Sequence, residues 1–167
     1  MYDLVIFDID GTLVCTQSGE IFRQSAKDWQ WLPGRVRALQ QLVTDGTRIA
    51  FASNQAGVAF PWSHFTEQDI EDEVAIMADA VDAETWRCCY TSPNEKALPQ
   101  YFNANDPNRK PGPGMLIDIM EHLEVDEEKT LFVGDRPEDE KAAVAAGVSF
   151  QWARDFFHDA NMLKDID

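Results

Sequence analysis

The sequence predicts an α/β protein with a parallel sheet of about five strands and helices on both faces. Three observations support this prediction. Short apolar runs alternate with segments of helical periodicity, which is the pattern of βαβ units. Gly and Pro residues mark several of the turns between them. The chain has 167 residues and 44% hydrophobic content, enough for one sizeable core, so we expect residues 1–167 to form a single domain.

Five apolar runs have the length of strands, and each is followed by polar or turn-forming residues. Since helical segments separate them, the strands are expected to run parallel and to connect through right-handed crossovers. The predicted strands are Leu4 to Phe7, Arg48 to Ala52, Arg87 to Tyr90, Thr130 to Val133 and Val148 to Trp152.

Four helices are predicted because apolar residues recur at intervals of three and four between the strands. In the second helix, for example, Ile70, Val74 and Met77 share one face. These apolar faces are expected to pack into the core. The predicted boundaries are Pro33 and Gly46 for the first helix, Thr66 as the cap of the second, Pro113 in the first turn of the third, and Pro137 and Gly147 for the fourth.

The charge balance argues against general nucleic-acid binding. Fourteen Lys and Arg residues stand against thirty Asp and Glu residues, a net charge of −16, and the chain has no basic run. Nucleic-acid binders neutralise phosphates with Lys and Arg, so the one nucleic-acid contact that stays possible is a local contact with the end of a DNA or RNA strand. No apolar stretch is long enough to span a membrane. Cys15, Cys88 and Cys89 are too few for a disulfide framework, so we expect a cytoplasmic protein. We also expect a monomer.

Polar residues follow the predicted strands where the strands end. In a parallel sheet these carboxyl ends lie at one edge, and ligands bind in the crevice there. We therefore expect these side chains to converge. They are Asp8, Asp10 and Thr12 after the first strand, Ser53 and Asn54 after the second, and Asp135 and Asp139 after the fourth, with Arg109 and Lys110 just before the helix that leads back to it.

Four motifs in these positions resemble motifs one to four of the haloacid dehalogenase (HAD) superfamily of phosphohydrolases. They are FDIDGTLV, FASNQAGV, RKPGPGM and VGDRPEDEKAAVAAGV, and the resemblance covers about residues 2–153. It implies a three-layer, Rossmann-like fold and phosphatase activity. The stretch between Asp10 and Ser53 has room for one helix and a short flap, so the chain resembles the capless members (subclass IIIA).

The resemblance implies a role for each candidate catalytic residue. Asp8 is the expected nucleophile, which would form an aspartyl-phosphate and divide one hard hydrolysis into two easier steps. Asp10 is expected to protonate the leaving group and then to activate water, since a neighbouring carboxylate favours its protonated form. Ser53 and Lys110 are expected to stabilise the phosphoryl oxygens and the transition state. Thr12 and Asn54 are expected to bind substrate, with backbone N–H groups completing the phosphate cradle.

A magnesium ion is expected beside the nucleophile. Two unit charges of the same sign at about 4 Å repel by about 4 kcal/mol at an effective dielectric near 20, so a carboxylate attacking a phosphate needs a cation. Mg²⁺ prefers oxygen ligands. The predicted ligands are the carboxylates of Asp8 and Asp135, and the resemblance adds the backbone carbonyl of Asp10. Asp139 is expected to hold metal-bound waters.

Within the capless group, SNQAGVAF followed by FTEQD, together with RKPGPGM, resembles three kinds of phosphatase. These are the heptose bisphosphate, histidinol phosphate and polynucleotide 3′-phosphatases. The first two carry a zinc loop with Cys-x-His and Cys-x-Cys. Here Cys89 stands at the first ligand, but Thr91, Asp106 and Asn108 replace the others, so no structural zinc is expected. Arg109 resembles an arginine that contacts a second anionic group of the substrate.

The leading hypothesis is a Mg²⁺-dependent phosphomonoesterase that acts on a small phosphorylated metabolite such as a sugar phosphate. A polynucleotide 3′-phosphatase is the alternative of the same class. The net charge argues against that alternative, and the loop without zinc ligands favours it. A catalytically silent binding protein is the alternative of another class.

Overall fold

Five parallel strands form the central sheet of the computed structural model, which describes residues 1–158. The sheet strands are β1 Leu4–Phe7, β4 Arg48–Asn54, β5 Thr85–Cys89, β6 Thr130–Gly134 and β7 Ser149–Trp152, and two short strands are β2 Val14–Cys15 and β3 Gln30–Trp31. The order in the sheet is β5-β4-β1-β6-β7, so β1 lies in the middle. The predicted α/β fold is therefore confirmed, although β4 extends two residues beyond its predicted end and β5 begins two residues earlier.

Helices cover both faces of the sheet. They are α1 Arg35–Thr44, α2 Glu67–Val81, α3 Gly114–Leu123, α4 Pro137–Ala146 and α5 Ala153–Phe156. Successive β1 side chains point to opposite sides of the sheet, so Val5 and Phe7 pack in one core cluster with residues of α1 and α2. Leu4 and Ile6 pack in the other with residues of α3 and α4. Among residues 1–158, no helix has both the length and the apolar character that a membrane crossing requires.

The helix starts agree with the sequence in two cases and differ in two. Thr66 caps α2 as predicted, in a capping box with Asp69, and α4 begins at Pro137. Pro33 does not open α1, because the left-handed backbone of Gly34 (φ 76°) comes between them. Pro113 precedes α3 instead of lying in its first turn, and its carbonyl accepts the N–H of Ile117.

The predicted short flap is an antiparallel pair, β2 and β3, with the loop between them; we use "flap" for residues 14–31. Asp28 organises the loop by accepting hydrogen bonds from the Ser18 N–H and hydroxyl and from the Gln24 N–H. The Trp29 indole donates to Glu73 of α2 at 2.8 Å, which ties the flap to the body of the protein. The flap is thus a folded element at the end of β1.

Helix α5 was not predicted from the sequence. Its Phe156 ring packs edge-on against Phe7, with 5.5 Å between ring centroids. Phe7 is the residue before Asp8, so α5 packs against the carboxyl end of β1.

Candidate active site

The candidate site lies at the carboxyl ends of β1, β4 and β6. Phe7, the last residue of β1, pairs with Phe51 of β4 on one side and Val133 of β6 on the other. Asp8 follows at once, while Ser53 and Asp135 come two residues beyond these partners. The register of the sheet therefore brings the predicted residues of three chain segments to one place.

Three carboxylates form a cluster there. Among residues 1–158, Asp8, Asp135 and Asp139 are the one group of potential metal-ligating side chains whose oxygens all lie within 4.8 Å of one another. The Thr12 hydroxyl lies 3.2 Å from carboxylate oxygens of both Asp8 and Asp135. Asp139 accepts the N–H groups of Asp135 and Arg136, both at 3.1 Å, at the start of α4. These contacts fix the cluster before any ligand binds.

Lys110 enters this cluster from the loop before α3. Its Nζ lies 2.7 Å from Asp8 and 2.7 Å from Asp139, and it donates to the Ala52 carbonyl at 3.0 Å. Only 4% of the Lys110 side chain is exposed. Burial alone would lower the pKa of Lys110, but the two carboxylates outweigh burial and raise it. Lys110 is therefore held as an ammonium group.

The charges in the cluster favour a bound cation. Burial raises the pKa of Asp8 well above its usual range; Lys110 opposes that shift, and Asp139 and Asp135 add to it. Three carboxylates face one ammonium group, so negative charge is left over in a poorly solvated place. A divalent ion with oxygen ligands fits this donor set.

Two glycines make room for the carboxylates. A Cβ at Gly11, which has a left-handed backbone (φ +85°), would lie 2.2 Å from a carboxylate oxygen of Asp135. A Cβ at Gly134 would lie 2.5 Å from the Cβ of Asp139. The glycines of the first and fourth motifs thus allow the close approach on which the cluster depends.

The Lys110 loop is attached to β4 through a pair of reciprocal hydrogen bonds. The Asn54 side chain accepts the N–H of Lys110 at 3.0 Å and donates to its carbonyl at 2.9 Å. The Asn54 side-chain amide therefore positions the lysine, and the substrate-binding role expected of Asn54 stays a prediction.

Asp10 lies beside the carboxylate cluster, and two residues that the sequence analysis did not assign hold its side chain. The guanidinium of Arg23, from the flap, contacts Oδ1 through Nε at 3.0 Å and Nη2 at 2.8 Å. Gln55 Nε2 donates to Oδ2 at 2.7 Å and to the Ser53 hydroxyl oxygen at 2.7 Å. Since the Ser53 oxygen accepts this bond, its own O–H is available to donate to a phosphoryl oxygen.

The loop that would carry zinc ligands in two of the resembled groups is held by hydrogen bonds. Thr91 donates to Asp106 at 2.7 Å, and the Cys89 thiol is in contact with both. Burial raises the pKa of Cys89, which disfavours the thiolate that zinc requires. Arg109 donates to the Thr91 carbonyl at 2.8 Å, so this loop also positions the arginine next to Lys110. The absence of structural zinc stays a prediction.

Comparison with known proteins agrees with this geometry. A family model described as polynucleotide kinase 3 phosphatase matches residues 3–157, which is nearly all of the chain that the structure describes. The chain belongs to this family. As a polynucleotide kinase 3 phosphatase family member with HAD-like structural neighbours, it is a HAD phosphatase, and the family and enzyme class predicted from the motifs are confirmed.

Relatives of this family member include phosphatases of two kinds. The D-glycero-beta-D-manno-heptose-1,7-bisphosphate 7-phosphatase of Pseudomonas putida is 30% identical over 147 residues, 86% of this chain and 78% of that protein. The bifunctional polynucleotide phosphatase/kinase of Schizosaccharomyces pombe is 42% identical over 55 residues, 32% of this chain and 14% of that protein. The crystal structure of D,D-heptose 1.7-bisphosphate phosphatase from B. bronchiseptica, complexed with magnesium and phosphate, has a TM-score of 0.71 and 27% identity, covering 89% of this chain and 78% of that one.

Proposed function

We propose that the protein is a Mg²⁺-dependent phosphomonoesterase that forms an aspartyl-phosphate on Asp8 and acts on a small sugar phosphate. The observation that carries the proposal is the convergence of Asp8, Asp135 and Asp139 within 4.8 Å, with Lys110 2.7 Å from two of them. A buried cluster of this composition suits the transfer of a phosphoryl group, where negative charge has to be positioned and offset.

In the proposed reaction an oxygen of Asp8 attacks phosphorus and the bond to the leaving group breaks. Lys110 neutralises part of the charge that builds up on Asp8 and the phosphoryl oxygens, and the Ser53 hydroxyl donates to one of those oxygens. Water then attacks the aspartyl-phosphate, which releases phosphate and restores Asp8. Asp10 supplies a proton in the first half and accepts one in the second.

The residues that would hold magnesium are Asp8, Asp135 and the backbone carbonyl of Asp10, with Asp139 holding water in the outer shell. When bound, the ion offsets the repulsion between Asp8 and phosphate and polarises a phosphoryl oxygen. The uncompensated negative charge of the cluster supports this assignment, as does the magnesium in the B. bronchiseptica enzyme.

A sugar phosphate is the substrate class that the full-length relatives favour. The relatives that match 86% of the chain are named heptose bisphosphatases. Arg109, anchored beside Lys110, is the proposed contact for a second anionic group, because a guanidinium can donate two parallel hydrogen bonds to a phosphate or carboxylate.

The proposal is tested by phosphate release from 4-nitrophenyl phosphate and from a panel of sugar phosphates, with Mg²⁺ or with EDTA. Asp8→Asn is expected to lose at least about a thousandfold in rate, and acid-quenched wild type should carry a phosphoryl group on the peptide that contains Asp8. Asp3→Asn, at an exposed residue just before β1, is the matched control and should keep full activity. Equal rates for Asp8→Asn and wild type would refute the nucleophile.

A polynucleotide 3′-phosphate is the second candidate substrate. The family match over residues 3–157 and the 42% identity with the S. pombe enzyme favour it. A 3′-phosphorylated oligonucleotide that is hydrolysed with a higher kcat/KM than every sugar phosphate in the panel would replace the first candidate by the second.

A further inference from the structure

Arg23 is a buried cation whose best-defined partner is the candidate acid and base. Its side chain is only 7% exposed, whereas that of Asp10 is 41% exposed. Both contacting nitrogens, Nε and Nη2, reach the same oxygen, Oδ1 of Asp10. Burying an arginine costs free energy unless its N–H groups are hydrogen-bonded. Here Nε and Nη2 both are.

The hydrogen bonds distinguish the two oxygens of Asp10. Oδ1 accepts two N–H groups from Arg23, which uses both of its lone pairs. Oδ2 accepts one N–H, from Gln55, and keeps a second lone pair free. Gln55 Nε2 has two N–H groups, and both are used, one on Asp10 and one on Ser53. The carboxyl group is therefore held at both ends with one free acceptor position.

We propose that Arg23 is a positioning residue that fixes the Asp10 carboxyl so that Oδ2 is the atom that transfers the proton. The proposal rests on the function proposed above and names a residue that the motifs do not contain. Arg23 acts through Asp10 and does not have to touch the substrate.

The proton moves in a balanced cycle. When the phosphorus–oxygen bond to the leaving group breaks, the leaving oxygen takes the proton from Oδ2, which yields the alcohol and an Asp10 carboxylate. When water attacks the aspartyl-phosphate, its proton passes to Oδ2 and the phosphorus–oxygen bond to Asp8 breaks. Arg23 stays on Oδ1 throughout, so the carboxyl does not rotate between the two steps.

The flap presets the position of Arg23. Its Nη1 donates to the Ala26 carbonyl at 3.2 Å, within the loop that Asp28 organises. The guanidinium is thus held from the flap side as well as from Asp10. Proteins keep a reacting atom in place by packing and by hydrogen bonds from the groups behind it.

The test compares two substrates of similar size, 4-nitrophenyl phosphate and phenyl phosphate. Nitrophenolate leaves without a proton, whereas phenolate needs one, so a misplaced acid affects phenyl phosphate more. For Arg23→Gln we expect kcat/KM with phenyl phosphate, which reports the step that releases phenol, to fall about 100-fold. The value with 4-nitrophenyl phosphate should fall less than about 5-fold. Arg23→Lys, which keeps the charge without the two-point contact, should lie between Arg23→Gln and wild type for phenyl phosphate.

A double-mutant cycle separates positioning from general stability. In an Asp10→Asn background, Arg23→Gln should reduce kcat/KM with phenyl phosphate by less than about 3-fold, because the group it positions is gone. Arg37→Gln, an exposed arginine on α1, is the matched control and should behave as wild type. The proposal would be overturned if Arg23→Gln lowered kcat/KM equally with both substrates. It would also be overturned if the reductions of the two single variants simply multiplied in the double variant. If Arg23→Gln does not fold, Arg23→Lys serves in the same cycle.

The failure of this inference is distinguishable from failure of the proposed function. Wild type that does not hydrolyse either phenyl ester, or Asp8→Asn that hydrolyses both at the wild-type rate, would refute the function itself. If wild type is active and the Arg23 variants lower kcat/KM equally with both substrates, only the role of Arg23 is refuted.

Discussion

Lys110 shows at the scale of one residue how closely the site depends on balanced charge. Its ammonium group is almost fully buried and contacts Asp8 and Asp139 at 2.7 Å. Removing one partner of a buried ion pair leaves the other charge without compensation, which costs more than the pair contributes when intact. Lys110 is therefore expected to stabilise the fold as well as the reaction.

Lys110→Met is expected to lower the free energy of unfolding by about 3 kcal/mol in EDTA, because Asp8 and Asp139 then lie buried beside each other without a cation. Urea denaturation followed by circular dichroism measures the change. Lys141→Met, on the exposed face of α4, is the control and should shift the free energy by less than about 0.5 kcal/mol. An unchanged urea midpoint for Lys110→Met would contradict the expectation.

The sequence placed some site residues well and missed others for a physical reason. Asp8 and Asp135 could be brought together because parallel strands end at one edge, a rule that needs no side-chain detail. Lys110 lies on the loop before α3 and was assigned from the RKPGPGM motif. Arg23 lies in a loop with no periodic pattern, so nothing local indicates that it reaches Asp10. Gln55 offered one signal, since it follows Ser53 and Asn54 at the end of β4, yet one of its hydrogen-bond partners is Asp10, from a distant part of the chain.

The flap is the element whose stability controls where Arg23 lies. Hydrogen bonds from Gln24 and Ser18 to the Asp28 carboxylate lower its pKa to about 2. An unperturbed aspartate has a pKa of about 3.9, so the folded flap favours the ionised form. This contribution is fully present above about pH 4 and is lost as the pH falls toward about 2.

Amide resonances of Ser18 and Gln24, followed by NMR as the pH is lowered, are expected to titrate with a midpoint near the pKa of Asp28, about 2. Asp28→Asn should abolish this titration and increase hydrogen exchange in the loop, since a neutral amide accepts these bonds more weakly. A midpoint close to that of a free aspartate, about 3.9, would show that the Asp28 contacts do not hold the flap in solution.

The regular elements were predictable where their signals were local. Thr66 caps α2 because its hydroxyl and Asp69 satisfy each other's backbone N–H groups, which a four-residue pattern reveals. Strands β2 and β3 have two residues each, too few for an alternating pattern to appear. Their pairing depends on the loop between them, and that loop depends on Asp28.

At the scale of the whole molecule, a net charge of −16 acts on every anionic substrate that approaches. The repulsion grows with the charge of the substrate and is screened by salt over about 10 Å at 0.1 M. A sugar phosphate carries few charges and an oligonucleotide carries many. The two candidate substrates should therefore respond differently to ionic strength.

For a 3′-phosphorylated oligonucleotide, kcat/KM is expected to rise a few-fold as KCl increases from about 20 to about 200 mM at constant Mg²⁺, because salt weakens the repulsion. The value for a sugar phosphate should change by less than about twofold over the same range. A kcat/KM for the oligonucleotide that falls steeply with salt would instead indicate a basic contact surface that the net charge conceals.

All five sheet strands run in the same direction, so their amino ends lie at one edge of the molecule and their carboxyl ends, with the candidate site, at the other. Met1 lies ahead of the amino end of β1 and is fully exposed, on the edge opposite Asp8. A tether or fluorophore joined there would leave the reactive edge turned toward the solution. The enzyme could thus be immobilised on a chip through the edge of the sheet that carries the amino ends of the strands, and substrate would still reach the opposite edge from solution.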